Sequence, residues 1–160
     1  MNTLIVYATK HDFTRKCVIK LSKKLDGDFD ILNLKENNVS TLEKYDNVII
    51  GGPIYAGQII KEVKEFCEKN LKELSDKRIG LFVCGMSDKD KMNLFLEQSF
   101  PEKLRNNALA KGEFGGSFVF KTMNFFERFI VRHICKTNED VLNLKEDNID
   151  EFAAKMNTKA

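Results

Sequence analysis

The feature that most constrains the fold is a regular alternation of short apolar runs with longer amphipathic segments. Residues 3–8 form a nearly continuous apolar run, which is typical of a strand buried on both faces of a parallel sheet. The next segment, from about Phe13 to Leu25, repeats its apolar residues at helical spacing. Because strands that alternate with helices are joined by right-handed crossovers, this order predicts an α/β fold with a parallel sheet.

The same alternation continues along the chain. It predicts four more strands, at residues 29–34, 47–52, 78–84 and 114–120. It also predicts helices at about 59–74, 88–109 with a break at Pro101, 124–136 and 148–156. Asn124 and Glu127 have the spacing of a capping box. We expect residues 1–160 to form a single domain, with an inserted helical segment at about 122–137.

Composition and charge argue against several classes of protein. Basic and acidic residues nearly balance, which leaves a net charge of +2 and no basic stripe for nucleic acid. No apolar run reaches about 18 residues and the N-terminus lacks a signal-peptide pattern, so we expect no transmembrane helix and a cytoplasmic location. The four cysteines form no Cys-x-x-Cys pair and only two histidines occur, so we expect reduced thiols and no metal site.

Ligands of doubly wound sheets bind at the carboxyl ends of the strands, so the loops after the first, third and fourth predicted strands are candidate sites. The first loop joins a buried strand to a helix N-terminus, where free N–H groups and the helix dipole favour a phosphate. It lacks the Gly-Lys-Ser/Thr ending of a Walker loop. Its candidate binding residues are Thr9, Lys10, His11, Asp12, Phe13 and Thr14.

This loop resembles the phosphate loop of flavodoxins, Ser/Thr-x-Thr-Gly-x-Thr. Thr9 and Thr14 match its outer hydroxyl positions, and His11 stands where a middle threonine is common. Asp12 stands where glycine is usual, which implies a positive φ that aspartate tolerates less well. The resemblance implies flavin mononucleotide (FMN) as cofactor. Beside a phosphate, the Asp12 side chain would point outward or cap the helix through a backbone N–H. The alternative is a plain strand-to-helix turn with Asp12 as its N-cap.

The flavodoxin resemblance also implies the fold and the rest of the site. The fold would be a three-layer sandwich, with a five-stranded parallel sheet in the order 2-1-3-4-5 and helices on both faces. The second loop, Gly51–Gly57, would pack on the flavin ring, with Tyr55 stacked on it or simply exposed on a turn. The third loop would cover the pyrimidine side of the ring. Candidate residues of these two loops are Pro53, Ile54, Tyr55, Ala56, Gly57, Cys84, Gly85, Met86 and Ser87.

The segment 122–136 is aromatic and basic, and such an insertion before the last helix is similar to that of the menaquinone-dependent, flavodoxin-like protoporphyrinogen IX dehydrogenases. This resemblance implies an FMN-dependent oxidoreductase that passes electrons from a bound donor to a quinone or a protein acceptor, with no catalytic side chain assigned. Its helix would be either core or a lid that meets a quinone, a porphyrin or, through residues 123–136, a membrane surface.

Two other functions stay open from the sequence. A flavodoxin-type electron carrier would bind partner proteins transiently and hold no substrate of its own. A receiver-like module without flavin would need an acidic cluster after the first and third strands, and the third strand instead ends in Gly51-Gly52-Pro53.

Overall fold

A computed structural model describes residues 1–118, 124–134 and 141–159. Its elements follow one another in the order β1 (Asn2–Tyr7), α1 (Phe13–Ser22), β2 (Asp28–Asn33), β3 (Asn47–Tyr55), β4 (Gln58–Ile59), α2 (Lys61–Lys69), α3 (Leu71–Leu74), β5 (Arg78–Cys84), α4 (Lys89–Ser99), α5 (Glu102–Asn107), β6 (Ala108–Glu113), β7 (Gly115–Phe118), α6 (Phe125–Ile134), β8 (Val141–Leu144) and α7 (Glu146–Met156).

The central sheet has five parallel strands in the order β2-β1-β3-β5-β6. The first four of these strands follow the predicted order 2-1-3-4, and β6 holds the fifth position. The short β4 pairs antiparallel with the end of β3 and lies off that path. Ile5 of β1 lies between Ile31 on one side and Ile49 on the other. β2 lies at one edge of this sheet, and its Phe29 and Ile31 side chains are exposed. The α/β fold is therefore confirmed.

Helices cover both faces of the sheet, because successive side chains of each strand point to opposite faces. Leu4 and Val6 face a core that includes Val63 and Phe66 of α2. Ile5 and its neighbours on the opposite face pack in the core formed with α1 and α7, which contribute Cys17, Leu21, Phe152 and Met156. The sheet thus forms the middle layer of three.

The fifth strand of the sheet is not where the sequence predicts it. Residues 108–113 form β6, which pairs with β5 in the register Leu81–Lys111, although alanine, leucine and lysine there favour the predicted helix 88–109. Pairing with a neighbouring strand overrides that local preference. Within the predicted strand 114–120, residues 115–118 form β7 instead, and 119–120 lie outside the described residues.

Several helix bounds also differ from prediction. The helix from Phe13 ends at Ser22, and the predicted helix 59–74 begins two residues later and divides into α2 and α3. The predicted break at Pro101 is confirmed, since α4 ends at Ser99 and α5 begins at Glu102. The predicted helix 124–136 is α6, whose last two predicted residues lie outside the described ranges.

β7 and β8 form a small antiparallel sheet, and α6 comes between these two strands in the sequence. Phe118 at the end of β7 pairs with Val141 at the start of β8. The Lys145 N–H donates to the Phe114 carbonyl at 3.1 Å, which ties β8 to the end of the main sheet. Among the described residues, no helix is both long enough and apolar enough to cross a membrane.

Candidate functional site

The three predicted loops lie next to one another at the carboxyl ends of β1, β3 and β5. His11 of the first loop meets Tyr55 of the second edge-on, with 6.4 Å between ring centroids. Gly85 of the third loop packs near Ile54, since a Cβ built on Gly85 would lie 3.6 Å from the Ile54 Cβ. Thr14 at the start of α1 lies beside Cys84 at the end of β5. The sheet topology therefore brings together the residues that the sequence separates.

Asp12 has the left-handed conformation that the flavodoxin resemblance implies for this position. Its φ is 67°, in a region that glycine adopts freely and other residues only at a cost. Its side chain makes no cap hydrogen bond to α1 and is 59% exposed, with one oxygen 3.9 Å from Arg15. The prediction that Asp12 points outward is confirmed, and the prediction that it caps the helix is wrong.

The first loop has backbone N–H groups without a backbone partner in the part of the chain that the structure describes. In the described ranges, no backbone carbonyl accepts a hydrogen bond from the N–H groups of residues 9–14. The first backbone bond of α1 runs from the Lys16 N–H to the Asp12 carbonyl, and no acidic residue occupies the first turn. Free N–H groups at the positive end of a helix dipole favour an anion. The loop thus has the chemistry of a phosphate site.

The two threonines of the loop differ in accessibility. Thr9 is half-buried, whereas Thr14 is buried and lies beside the Cys84 thiol. Burial and the neighbouring Cys17 raise the pKa of Cys84 well above its ordinary value, and the Thr14 hydroxyl offsets only part of that rise. Cys84 is therefore a buried, protonated thiol rather than a nucleophile. Phe13 is buried in the core and anchors the loop to the sheet.

The second loop is a tight β-hairpin. Tyr55 and Gln58 pair across a two-residue turn in which Ala56 and Gly57 both have positive φ, 49° and 77°. Positive φ at both central residues is typical of the type I′ turn. Pro53 and Ile54 are half-buried and fix this hairpin to the end of β3.

Tyr55 extends from the hairpin toward the first loop. Its ring lies 5.7 Å from the Lys10 ammonium, as well as next to His11. Burial raises the pKa of the Tyr55 phenol, and the negative charge of Glu127 raises it further. The phenol therefore stays protonated at neutral pH and presents a flat ring with a hydroxyl donor.

Small residues before the hairpin serve packing. A Cβ built on Gly51 would lie 2.4 Å from the Phe82 ring, and one on Gly52 would lie 2.9 Å from Ile60. The absence of side chains at Gly51 and Gly52 therefore makes room for core side chains. At Ala56 and Gly57 the exposed turn leaves the backbone open.

The third loop is held against β7. The Gly85 N–H donates to the Gly115 carbonyl at 2.8 Å, and a Cβ on Gly116 would lie 2.7 Å from the Gly85 backbone. Met86 is half-buried here and Ser87 is exposed. Asp88 then caps α4 by accepting a hydrogen bond from the Lys91 N–H at 2.9 Å. This loop is thus a fixed wall of the site.

Glu127 of α6 joins the site, although nothing in its sequence position indicates this contact. Its carboxylate accepts from the Lys10 ammonium, and its other oxygen lies 2.7 Å from the His11 Nε2. The predicted capping box is confirmed. The Glu127 N–H donates to Asn124 Oδ1 at 2.8 Å, and the Asn124 N–H donates to Glu127 Oε2 at 3.3 Å. That local spacing predicts only the cap, because the two partners on the first loop precede Glu127 by more than a hundred residues.

Relief of the backbone strain at Asp12 is the first testable consequence of this geometry. We expect Asp12→Gly to raise the free energy of unfolding by about 0.5–1 kcal/mol, because glycine adopts a φ of 67° without a Cβ clash. Asp12→Ala should lower the free energy of unfolding, since alanine keeps the Cβ and loses the local polar contacts. Urea denaturation of the two variants measures both effects. A glycine variant less stable than the alanine variant would contradict the assignment of strain.

Comparison with known proteins assigns the family. A family model described as a flavodoxin domain matches residues 4–143. The chain belongs to this flavodoxin domain family.

Several known proteins are similar to this chain over most of its length. A solved flavodoxin of Fusobacterium nucleatum, bound to flavin mononucleotide, is 16% identical, with a TM-score of 0.53 and coverage of 97% of this chain and 96% of that one. A flavodoxin of Streptococcus pneumoniae TIGR4 is 14% identical, with a TM-score of 0.54 and coverage of 98% and 97%. The protoporphyrinogen IX dehydrogenase [quinone] of Leishmania major is 23% identical, over 94% of this chain and 70% of that protein.

Proposed function

We propose that this protein binds FMN and acts as an oxidoreductase that passes electrons from a bound donor to a quinone or a protein acceptor. The observation that carries the proposal is the set of N–H groups of residues 9–14, which have no backbone partner among the described residues and lie at the N-terminus of α1, next to Tyr55. Those N–H groups, with Thr9, would hold the phosphate. Residues 53–57 would pack along the flavin ring, and residues 84–87 would form the opposite wall.

FMN, when bound, supplies one- and two-electron transfer chemistry. The residues of the chain would bind and orient it and limit the access of water. Tyr55 stays protonated, so its hydroxyl donates hydrogen bonds and takes no proton. We assign no side chain as a general acid or base. We also propose a cytoplasmic location, in which the buried thiols of Cys17, Cys67 and Cys84 stay reduced.

Flavin retention tests the proposal directly. Purified protein mixed with FMN should keep a visible flavin spectrum and a changed flavin fluorescence after desalting, with about one flavin per chain. Free FMN carried through the same column is the control. Loss of all flavin on desalting, together with no change in fluorescence during titration, would end the FMN proposal.

Protoporphyrinogen is the donor that we propose to test first, on the strength of the similarity to the Leishmania major dehydrogenase. FMN-loaded protein should oxidise protoporphyrinogen in the presence of a quinone, measured anaerobically by the rise of porphyrin fluorescence. Apoprotein and free FMN are the controls. A rate no greater than that of free FMN would exclude this donor while leaving the flavin site in place.

The alternative function is a flavodoxin-type electron carrier with no substrate of its own. It is favoured by the similarity in fold to the Fusobacterium nucleatum and Streptococcus pneumoniae flavodoxins over nearly the whole chain. A carrier would work without a lid, so the role of α6 separates the two functions.

We further propose that α6 makes peripheral contact with an anionic membrane, where a quinone acceptor would be found. Three of its aromatic side chains are exposed: Phe125 by 86%, Phe126 by 68% and Phe129 by 51%. Arg128 and Arg132 belong to the same helix, whereas its only acidic residue, Glu127, is turned toward the first loop. An aromatic surface with arginines suits the headgroup region of a bilayer with negative lipids.

Vesicle binding checks the membrane proposal. We expect the protein to sediment with vesicles of phosphatidylcholine and phosphatidylglycerol, less so at high salt, and weakly with phosphatidylcholine alone. The double variant Phe125→Ser/Phe126→Ser should reduce the partition coefficient about tenfold or more, because each phenylalanine contributes roughly 1.5–3 kcal/mol when fully buried. Leu94→Ser, at an exposed leucine of α4, is the matched control. Equal binding by all variants would contradict the proposal.

A further inference from the structure

The first loop and α6 are joined by a three-residue charge cluster. One oxygen of Glu127 accepts a hydrogen bond from the Lys10 ammonium, and the other lies 2.7 Å from the His11 Nε2. Only 16% of each of the Glu127 and His11 side chains is exposed, whereas Lys10 is more open. Lys10 and His11 both belong to the loop whose N–H groups have no backbone partner among the described residues.

Glu127 is the negative partner in this cluster. Burial alone would raise the pKa of Glu127, but Lys10, His11 and the Asn124 N–H together hold it below its ordinary value. The carboxylate is thus ionised at neutral pH. It binds the two basic side chains at the centre of the loop, Lys10 and His11, as an external anion would.

We propose that Glu127 is an internal competitor of the FMN phosphate, so that FMN binding and the docking of α6 on the first loop oppose each other. This inference rests on the proposed FMN function. A phosphate held by residues 9–14 and a carboxylate held by Lys10 and His11 are like charges within one loop, and they repel at low effective dielectric. The phosphate carries the larger charge and can also use the N–H groups, so it displaces the carboxylate.

The coupling is reciprocal. If α6 weakens the binding of FMN by a given factor, FMN weakens the docking of α6 by the same factor. Cofactor-free protein would hold α6 against the first loop, and loaded protein would release Glu127 and the helix that carries it.

Flavin affinities of Glu127→Gln test the competition. Glutamine keeps the capping box with Asn124 and removes only the charge. We expect FMN to bind this variant about tenfold more tightly than the parent chain, equivalent to roughly 1.4 kcal/mol. Riboflavin, which has the ring but no phosphate, should bind both proteins equally. Glu151→Gln on α7, which removes an exposed carboxylate paired with Lys155, is the matched control and should change neither affinity.

Hydrogen exchange of residues 125–134 gives a second readout that needs no variant. Saturating FMN should speed amide exchange in α6 of the parent chain, and saturating riboflavin should not. Unchanged or slower exchange with FMN overturns the inference, as does FMN affinity in Glu127→Gln equal to or weaker than that of the parent. Equal tightening of FMN and riboflavin also overturns it, since α6 would then cover the ring rather than compete for the phosphate site.

The outcomes separate this inference from the function on which it rests. If FMN binds but Glu127→Gln changes nothing, the competition is wrong and the flavin site stands. If neither flavin binds any of the proteins, both proposals are overturned together.

Discussion

Phe82→Ala is expected to lower the free energy of unfolding by about 3–5 kcal/mol, which is a large share of the total stability of a domain of this size. Phe82 is fully buried in the middle of the sheet. Its ring stacks on Phe114 at 4.7 Å between centroids and meets Phe152 edge-on at 6.4 Å. Its removal would leave a cavity beneath Gly51, which has no side chain to fill it.

Urea denaturation and thermal melting measure this effect. Each kcal/mol corresponds to about 2–4 °C for a chain of this length, so the melting temperature should fall by at least about 6 °C. Phe125→Ala is the matched control, because it removes the same side chain from an exposed helix surface and should change stability by less than about 0.5 kcal/mol. Similar losses in the two variants would mean that Phe82 is not the centre of the core.

Replacement of residues 119–140 by Asn-Gly should abolish donor oxidation while leaving the fold and FMN binding intact. Phe118 and Val141 are already partners across β7 and β8, and Asn-Gly favours the two-residue turn that closes such a pair. If α6 is a lid for a bound donor, turnover of protoporphyrinogen should fall by at least about 100-fold, since the donor would lose its orientation next to the flavin. FMN affinity should stay the same or increase, because Glu127 is removed as well.

The same replacement distinguishes the enzyme from the carrier. A carrier would deliver electrons from chemically reduced flavin to a protein acceptor at an unchanged rate without the segment. A second variant, in which residues 119–140 are replaced by a glycine–serine linker of equal length, controls for the size of the segment. Full turnover of the donor in both variants would exclude a lid function for α6.

The sequence predicts the main sheet well because its signals are local. Continuous apolar runs identify β1, β3 and β5, the buried strands in the middle of the sheet. β6 is missed because Ala108, Leu109 and Ala110 have helical preferences, and only pairing with β5 makes the segment a strand. The two-residue strand β4 is not predicted either, since nothing in Gln58 and Ile59 indicates that they pair with the end of β3.

The features of the candidate site that depend on local signals are also predictable, whereas its long-range contacts are not. The position of the first loop after β1 and the positive φ of Asp12 follow from sequence order and the flavodoxin resemblance. The capping box of α6 also follows, since its two residues are three apart. The contact of Glu127 with Lys10 and His11 does not, because it depends on where a distant helix docks. The role of Gly51 is likewise set by Phe82, a residue of a neighbouring strand.

The hairpin that carries Tyr55 has a consequence for the entropy of binding. A two-residue turn with both residues in the left-handed region allows few backbone conformations, and the antiparallel pairing of β3 with β4 fixes its ends. If Tyr55 stood on a long, open loop, ordering that loop around a ligand would cost about 1–2 kcal/mol of conformational entropy per residue. Tyr55 is held in place before any ligand arrives, so little of the energy of ring stacking is spent on ordering the loop.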